Sequence, residues 1–355
     1  MMVHIRHIAL MLLSLLALAG CDRTIHEYPT TPTLKLTVCC YVDLSHPEHF
    51  VTVECDAKKG TTYVVRSQSI EPGGTRFTEP VCLRYVVDLY RECDGSYIFT
   101  ERKVLFSAVD AACPQAVATF DVDASKYEVL VWCDYVQDDI RKAWYYNTDD
   151  LRKVVYSDQE VVDNNDKDVF TNMLSVDLSS YAYACKDQDI TYDVSLSRPN
   201  GRFKCITTDV EEYLKGNSVS VDDITAVVTY VQYVSAGYDV EQQRPNYYVP
   251  TRTFITSTAH MDDNGMLELC NDYVFVNGKQ TNVKINFAFY QGEVSYSDSG
   301  EIIGDRISHW SGILVPLKRN METVIEGRLL TTSYGTGGVG IDPGFDGEIN
   351  IPWGD

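Results

Sequence analysis

Few residues in this chain of 355 have both the type and the spacing that chemistry requires. A nucleophilic triad needs a positioned Ser or Cys beside a His. Beyond residue 20 only His26, His46, His49, His260 and His309 remain, and no G-x-S-x-G occurs. His46-Pro-Glu-His49 sets two imidazoles three residues apart, but no further His or Cys follows at zinc-site spacing and H-E-x-x-H is absent, so a solvated turn is expected. Asp163-Asn-Asn-Asp-Lys-Asp168 opens like a calcium loop, yet Asp168 stands where that loop needs Gly and no Glu follows at its twelfth position, so an exposed turn is expected. Gly335-Thr-Gly337-Gly338-Val-Gly340 satisfies G-x-G-x-x-G in letters only, because Ile341-Asp-Pro-Gly344 breaks the helix the dinucleotide fingerprint needs; a mobile glycine loop is expected. Carboxylate pairs for glycoside hydrolysis can be drawn in many ways among 51 acidic residues, and none is singled out. The expectation is a protein that is not an enzyme, with no cofactor and no metal site.

One short motif does specify chemistry. Residues 1–20 have a charged start at His4, Arg6 and His7, then an apolar run from Ile8 to Ala19 that is too short to span about 30 Å of hydrocarbon comfortably. It reads as a signal peptide. Leu18-Ala19-Gly20-Cys21 matches the bacterial lipobox, in which small residues present a Cys thiol for diacylglyceryl transfer, so cleavage is expected after Gly20 and lipidation at Cys21. Two or three acyl chains, at about 0.8 kcal/mol per buried CH₂, would hold such a protein to a membrane almost permanently. The expected location is the cell envelope. Ten of the 11 cysteines remain after Cys21, in a compartment where disulfides are allowed. Bridging and reduced core Cys both stay open at this point, and no pairs are assigned.

The elements that must carry these residues are strands. Hydrophobic residues make up 45% and charged residues 23%, ordinary globular usage, and a formal net charge of −21 repels phosphate backbones, so nucleic acid is not an expected partner. Period-two runs of β-branched and aromatic residues recur, as in Leu34–Val38, Phe50–Glu54, Lys126–Trp132 and Ala226–Val234, and only short helical candidates such as Val210–Lys215 interrupt them. The fold class is all-β, most simply sandwiches. An acidic, turn-rich stretch at Asp158–Asp168 and a strand-like restart at Ser197–Ile206 place a domain boundary near 190, giving an N-terminal domain over 21–190 and a C-terminal domain over 191–355.

Three stretches resemble the fimbrillin family of Bacteroidales, the lipoprotein pilins and associated anchor or tip proteins of type V pili. Val131-Trp-Cys-Asp-Tyr-Val136 is similar to a strand of that family's N-terminal domain, and Arg198-Pro-Asn-Gly-Arg-Phe-Lys-Cys-Ile-Thr-Thr-Asp209 is similar to the opening strand of its C-terminal domain. Val315-Pro-Leu-Lys-Arg-Asn320, with Thr323–Thr331 and then Phe345–Ile349, resembles its penultimate strand pair. With the lipobox, the resemblance touches most of the chain. It implies two tandem transthyretin-like Greek-key β-sandwich domains with long loops and export as an outer-membrane or cell-surface lipoprotein. For polymerising members it also implies an Arg-specific cut that vacates a groove for a strand from another fimbrial subunit.

On that reading the partners are other fimbrial subunits, the membrane through the lipid, and a host or bacterial surface ligand. Cleavage after Arg66 in Tyr63-Val-Val-Arg66 is the candidate processing event, although Arg76, Arg84, Arg91 and Arg102 stand in similar settings. Glu348-Ile-Asn-Ile-Pro-Trp353 alternates Ile349, Ile351 and Trp353 on one face, as a donor strand or an ordinary last strand, with Pro352 removing one ladder donor. The alternative function is a surface glycan-binding lipoprotein, for which 24 Tyr and four Trp could build a stacking platform.

Overall fold

The computed structural model describes residues 33–65, 80–109, 114–139, 141, 145–156, 167–183, 186–216, 219–257, 259–261 and 265–335. The chain is all-β, as its period-two runs dictate. Strand β1 (Leu34–Val42) puts Leu34, Leu36, Val38, Cys40 and Val42 inward. It lies between β6 (Gln115–Val122), antiparallel, and β11 (Gln188–Leu196), parallel. The facing sheet has the order β10 (Val169–Asp177), β7 (Lys126–Gln137), β4 (Val81–Cys93), β5 (Ser96–Ala108), antiparallel throughout. Leu83, Tyr85, Val87 and Leu89 of β4 and Val129, Val131 and Cys133 of β7 close the core between the two sheets.

A second sandwich pairs a six-stranded sheet with a four-stranded one. The six-stranded sheet runs β17 (His260–Met261), β18 (Leu267–Phe275), β12 (Asn200–Thr207), β21 (Met321–Gly327), β2 (Glu48–Asp56), β3 (Gly60–Val64). Its partner runs β16 (Arg252–Thr256), β13 (Ile224–Tyr230), β19 (Thr281–Tyr296), β20 (Ile302–Leu317). Phe203, Cys205, Leu269, Phe287, Phe289, Trp310 and Ile325 fill the space between them. A small sheet of β15 (Arg244–Val249), β14 (Val234–Asp239), β9 (Val154–Tyr156) and β8 (Tyr146–Asn147) bridges the two bodies.

Three sequence expectations meet a different arrangement. The 190/191 boundary falls inside β11, whose whole length pairs with β1 in the first sandwich. Residues 48–64 lie far upstream of that boundary yet hydrogen-bond into the second sandwich, because β2 runs parallel to β21 and places Val53 and Cys55 in the second core. Gly327 permits this close approach, since a Cβ there would stand 2.6 Å from the Cys55 carbonyl oxygen. The run Ala226–Val234 is two strands, β13 and β14: at Val231–Tyr233 the chain leaves the four-stranded sheet for the bridging one. The helical candidate is α1 (Val210–Gly216), with Glu211 and Glu212 in its first turn and Lys215 in its last, each complementing the helix dipole. Among the described residues no helix is long and apolar enough to cross a membrane.

Candidate functional site

Alternation normally leaves a sandwich sheet with one wet face, but β4 and β7 are buried on both. Their second face carries Arg84, Val86, Asp88 and Tyr90 from β4 and Leu130, Trp132 and Asp134 from β7. The apolar members pack on Tyr146, Val154, Tyr238 and Phe275. Trp132 meets the edge of Tyr146 with ring centroids 5.2 Å apart, and Tyr238 lies against Phe275 at the same separation. Aromatic burial of this kind joins the two bodies.

The polar residues on that face and around it form a seam of buried ion pairs. Arg84 grips Asp134 bidentately, Nε donating to Oδ1 at 2.9 Å and Nη2 to Oδ2 at 2.5 Å. Arg102 holds Asp88 the same way, at 2.6 Å for both bonds. Arg198 donates through Nε to Asp168 Oδ2 at 2.8 Å and through Nη1 to Asn320 Oδ1 at 2.8 Å, with its guanidinium 4.5 Å above the Phe170 ring. Lys167 pairs with Asp272, which also accepts from the Tyr230 hydroxyl at 2.7 Å. Beyond lies the densest group. Glu322 receives Arg202, Lys204 at 3.1 Å and His46 Nε2 at 3.0 Å, while Arg202 also reaches Glu268 at 3.1 Å.

Electrostatics differ along this seam. Burial pushes the carboxyls of Asp88, Asp134 and Asp168 up, and one guanidinium apiece does not reverse the shift. Burial also raises Glu322, but Arg202, His46 and Lys204 together outweigh it and hold that carboxyl well below the ordinary range. The arrangement is chemically quiet. Every strong base faces a carboxylate, no nucleophile is poised, and among the described residues no three His, Cys, Asp or Glu side chains converge as a metal site. Lys167–Asp272 and the contacts of Arg198 with Asp168 and Asn320 tie the two bodies together, whereas the Arg84–Asp134, Arg102–Asp88 and Glu322 groups lock strands within one body; removing one partner of a buried pair strands a charge, which costs about 3–5 kcal/mol.

The sequence-chosen positions fare unevenly. Gly20, Cys21, Arg66, Ile349, Ile351 and Trp353 lie outside the described residues. His46 and His49 do not form a joint site: His46 serves Glu322, and His49 Nε2 lies 3.4 Å from Thr52 Oγ1. Of the oxygen-rich hexamer, Lys167 and Asp168 are not an exposed turn; both are buried in the seam, because each finds an opposite charge there. Arg84 and Arg102 are held in ion pairs. The three family-like stretches converge: the first supplies Asp134, the second Arg198, Arg202 and Lys204, and the third Asn320. Sequence reading took Arg84 only as a candidate cleavage site and missed Asp88, Glu268, Asp272 and Glu322. Its available signal was a lone charge inside an apolar strand, as in Leu83-Arg84-Tyr85-Val86-Val87-Asp88-Leu89.

A cleft of about 810 Å³ opens between α1 and the end of β21, lined by Thr207, Asp209, Glu212, Lys215, Glu326 and Arg328. Asp209 is already occupied, accepting from the Thr331 amide at 2.7 Å, the Thr331 hydroxyl at 2.6 Å and the Leu330 amide at 3.3 Å. Large aromatic side chains stand in solvent at Tyr183, Tyr233, Tyr247, Tyr248 and Tyr296.

The fold and this seam define a double β-sandwich protein whose bodies are joined by buried aromatics and ion pairs. The chain belongs to the Family of unknown function (DUF6562), whose sequence model matches residues 47–353. No curated protein matches the sequence. Among solved structures it is similar to a candidate adhesin from Bacteroides ovatus, with 13% identity, TM-score 0.41, and coverage of 83% of this chain and 89% of that one. It is also similar to a candidate cell adhesion protein from Bacteroides eggerthii, with 14% identity, TM-score 0.38, and coverage of 90% and 93%. The fimbrial anchor protein Mfa2 from Porphyromonas gingivalis shows 10% identity, TM-score 0.37, and coverage of 78% and 81%. These are proteins of the kind the sequence resembles, Bacteroidales adhesins and a fimbrial anchor.

Proposed function

We propose that this chain is a non-enzymatic, lipid-anchored cell-envelope protein of fimbrillin type, a structural or accessory subunit of surface fimbriae serving adhesion. The observation that carries the reading is the coincidence of a lipobox with three family-like stretches in the expected order, each of which contributes a polar residue to one buried seam. In this reading Cys21 is acylated after cleavage at Gly20, the acyl chains hold the protein at the outer membrane, and the seam keeps the two sandwiches from hinging under pull. Its partners are other fimbrial subunits, reached by strand exchange through a sheet edge opened after Arg66 or through the terminal Ile349, Ile351, Trp353 face.

The test is the mature N-terminus from native cells, read by intact mass and peptide sequencing of cell-bound and sheared fractions. An acylated Cys21 in the cell-bound fraction is the expected result for an anchor or accessory subunit. A new N-terminus following an Arg in a sheared high-mass fraction assigns the chain to a protease-activated stalk. An unmodified Met1 in both fractions overturns the reading.

A second reading, glycan binding at the cell surface, draws on the exposed tyrosines, with Tyr183 at 92% and Tyr233 at 72% exposure. Retention of the purified protein on immobilised polysaccharide, lost in Tyr233→Ala and Tyr247→Ala, supports it. Equal passage of all three proteins removes it.

A further inference from the structure

Strand β12 pairs antiparallel with β18, and in that register Cys205 stands directly opposite Cys270. Among the described strand pairings this is the one place where cysteine faces cysteine; Cys40 faces Ala116 and Val194, Cys133 faces Tyr85 and Phe170, and Cys55 faces Gly327 and Thr61. Directly opposed residues in an antiparallel ladder have Cα atoms about 4.5–5.5 Å apart, inside the window of about 4.4–6.8 Å that a disulfide spans without backbone movement. Both side chains also point the same way. Cys205 and Cys270 are each buried, and both belong to the core of the second sandwich. A register irregularity follows immediately, so that Ile206 faces Glu268. It turns Leu269 and Cys270 toward the same core, where Cys270 can meet Cys205.

We infer that Cys205 and Cys270 form a cross-strand disulfide when the chain folds under oxidising conditions, tying β12 to β18 in the centre of the six-stranded sheet. The step is two thiol–disulfide exchanges: a thiolate of one Cys attacks a small-molecule or enzyme disulfide, expelling one thiolate and leaving a mixed disulfide, and the second Cys thiolate then attacks the first Cys sulfur in that mixed disulfide and expels the other thiolate. Two thiols are oxidised, one external disulfide is reduced to two thiols, and two protons leave the cysteines. Burial sets the timing. Neither sulfur is open to a partner in the closed sandwich, so the bond forms before the sheets close over it and resists reduction afterwards. The competitor is Cys55, which shares this core and whose thiol is pushed up by burial and by the nearby Cys205, but β21 lies between their strands. The inference rests on the proposed export only for the supply of oxidant.

The full chain refolded in a glutathione redox buffer tests the pairing without reference to export. After unfolding and alkylation, non-reducing peptide mapping is expected to show one linked pair joining the peptides of Cys205 and Cys270, a mass lower by about 2 Da, and complete alkylation of Cys40, Cys55 and Cys133. The urea midpoint of the oxidised chain should fall on adding dithiothreitol, and that shift should vanish in Cys205→Ala with Cys270→Ala. Full alkylation of Cys205 and Cys270, or a Cys205–Cys55 link, overturns the inference. The mapping needs no variant, so a substitution that fails to fold leaves it decisive. Repeating it on protein from the native envelope separates the two proposals, since pairing in vitro with reduced thiols in cells would count against export and not against the geometry.

Discussion

Asp134 and Glu322 are both carboxylates on buried strands, yet burial carries them in opposite directions. Asp134 faces one guanidinium and its pKa rises; Glu322 faces Arg202, Lys204 and His46 and its pKa falls. Desolvation opposes the charge at both sites, so the number of cations within contact distance decides the sign. The one-to-one pair of Arg84 with Asp134 is self-contained: its members satisfy each other and owe nothing further. The Glu322 group is a network, in which Arg202 also serves Glu268, and Glu268 accepts in turn from Asn271 at 2.9 Å. A pair can be replaced whole, whereas a network cannot be cut without stranding a member.

The sharpest way to break the comparison is Glu322→Gln. The isosteric amide keeps the volume and deprives Lys204 and Arg202 of a shared anion, so urea unfolding should lose about 3–5 kcal/mol. A loss below about 1 kcal/mol would show the network to be no more than a set of interchangeable contacts. Next comes whole replacement. Arg84→Met with Asp134→Leu should unfold within about 1 kcal/mol of the parent, although each single change costs about 3 kcal/mol. Arg202→Met with Glu322→Leu should recover far less, because Lys204 and Glu268 are left behind. Equal recovery in the two double variants would erase the distinction.

Acid titration sharpens it further. A carboxyl whose folded pKa is depressed contributes stability that is fully present above its unfolded pKa, near 4.5 for Glu322, and is lost as pH falls toward the folded value. Asp134 has the opposite sign: its raised folded pKa gives a contribution present at low pH and lost as pH rises through that value. The parent should therefore lose stability between about pH 5 and pH 3, and Glu322→Gln should flatten that fall by at least about 1 kcal/mol, measured by urea midpoints across the range. Asp134→Asn should steepen the acid fall, because it removes a contribution of the opposite sign.

Much of the scaffold was legible because strand periodicity is local. Leu34–Val38, Phe50–Glu54 and Lys126–Trp132 became β1, β2 and β7, and Val210–Lys215 became α1. What was hidden is non-local. Nothing in Phe50-Val-Thr-Val-Glu says that β2 will lie beside β21 across more than half the chain, and nothing in Asp163–Asp168 says that Lys167 will meet Asp272 while Asp168 meets Arg198. An acidic, Asn-rich hexamer looks like a wet turn until its partners are known. The seam was half visible for a related reason: the charges of Arg198-Pro-Asn-Gly-Arg202 could be seen in the sequence, but their carboxylates come from β18, β21 and the segment before β10. Only pairing of distant strands brings these together.

The smallest expected effect lies at the surface, and it bounds the comparison from below. Arg328 reaches Glu212 at 2.5 Å across the cleft beside α1, a separation as short as any distance quoted for the seam, but the two side chains are 54% and 60% exposed. In the seam the alternative to pairing is an unpaired buried charge; here it is water. Each partner keeps its hydration when the other is removed, and holding two long side chains in one geometry costs rotamer entropy that offsets the Coulomb gain. Arg328→Ala should therefore change the urea midpoint by no more than about 1 kcal/mol, and added salt should erase what remains, since exposed charges are screened within about 8–10 Å at ordinary ionic strength. A loss matching that of Glu322→Gln would mean that contact distance, and not burial or the number of cations, sets the strength of ion pairs in this fold.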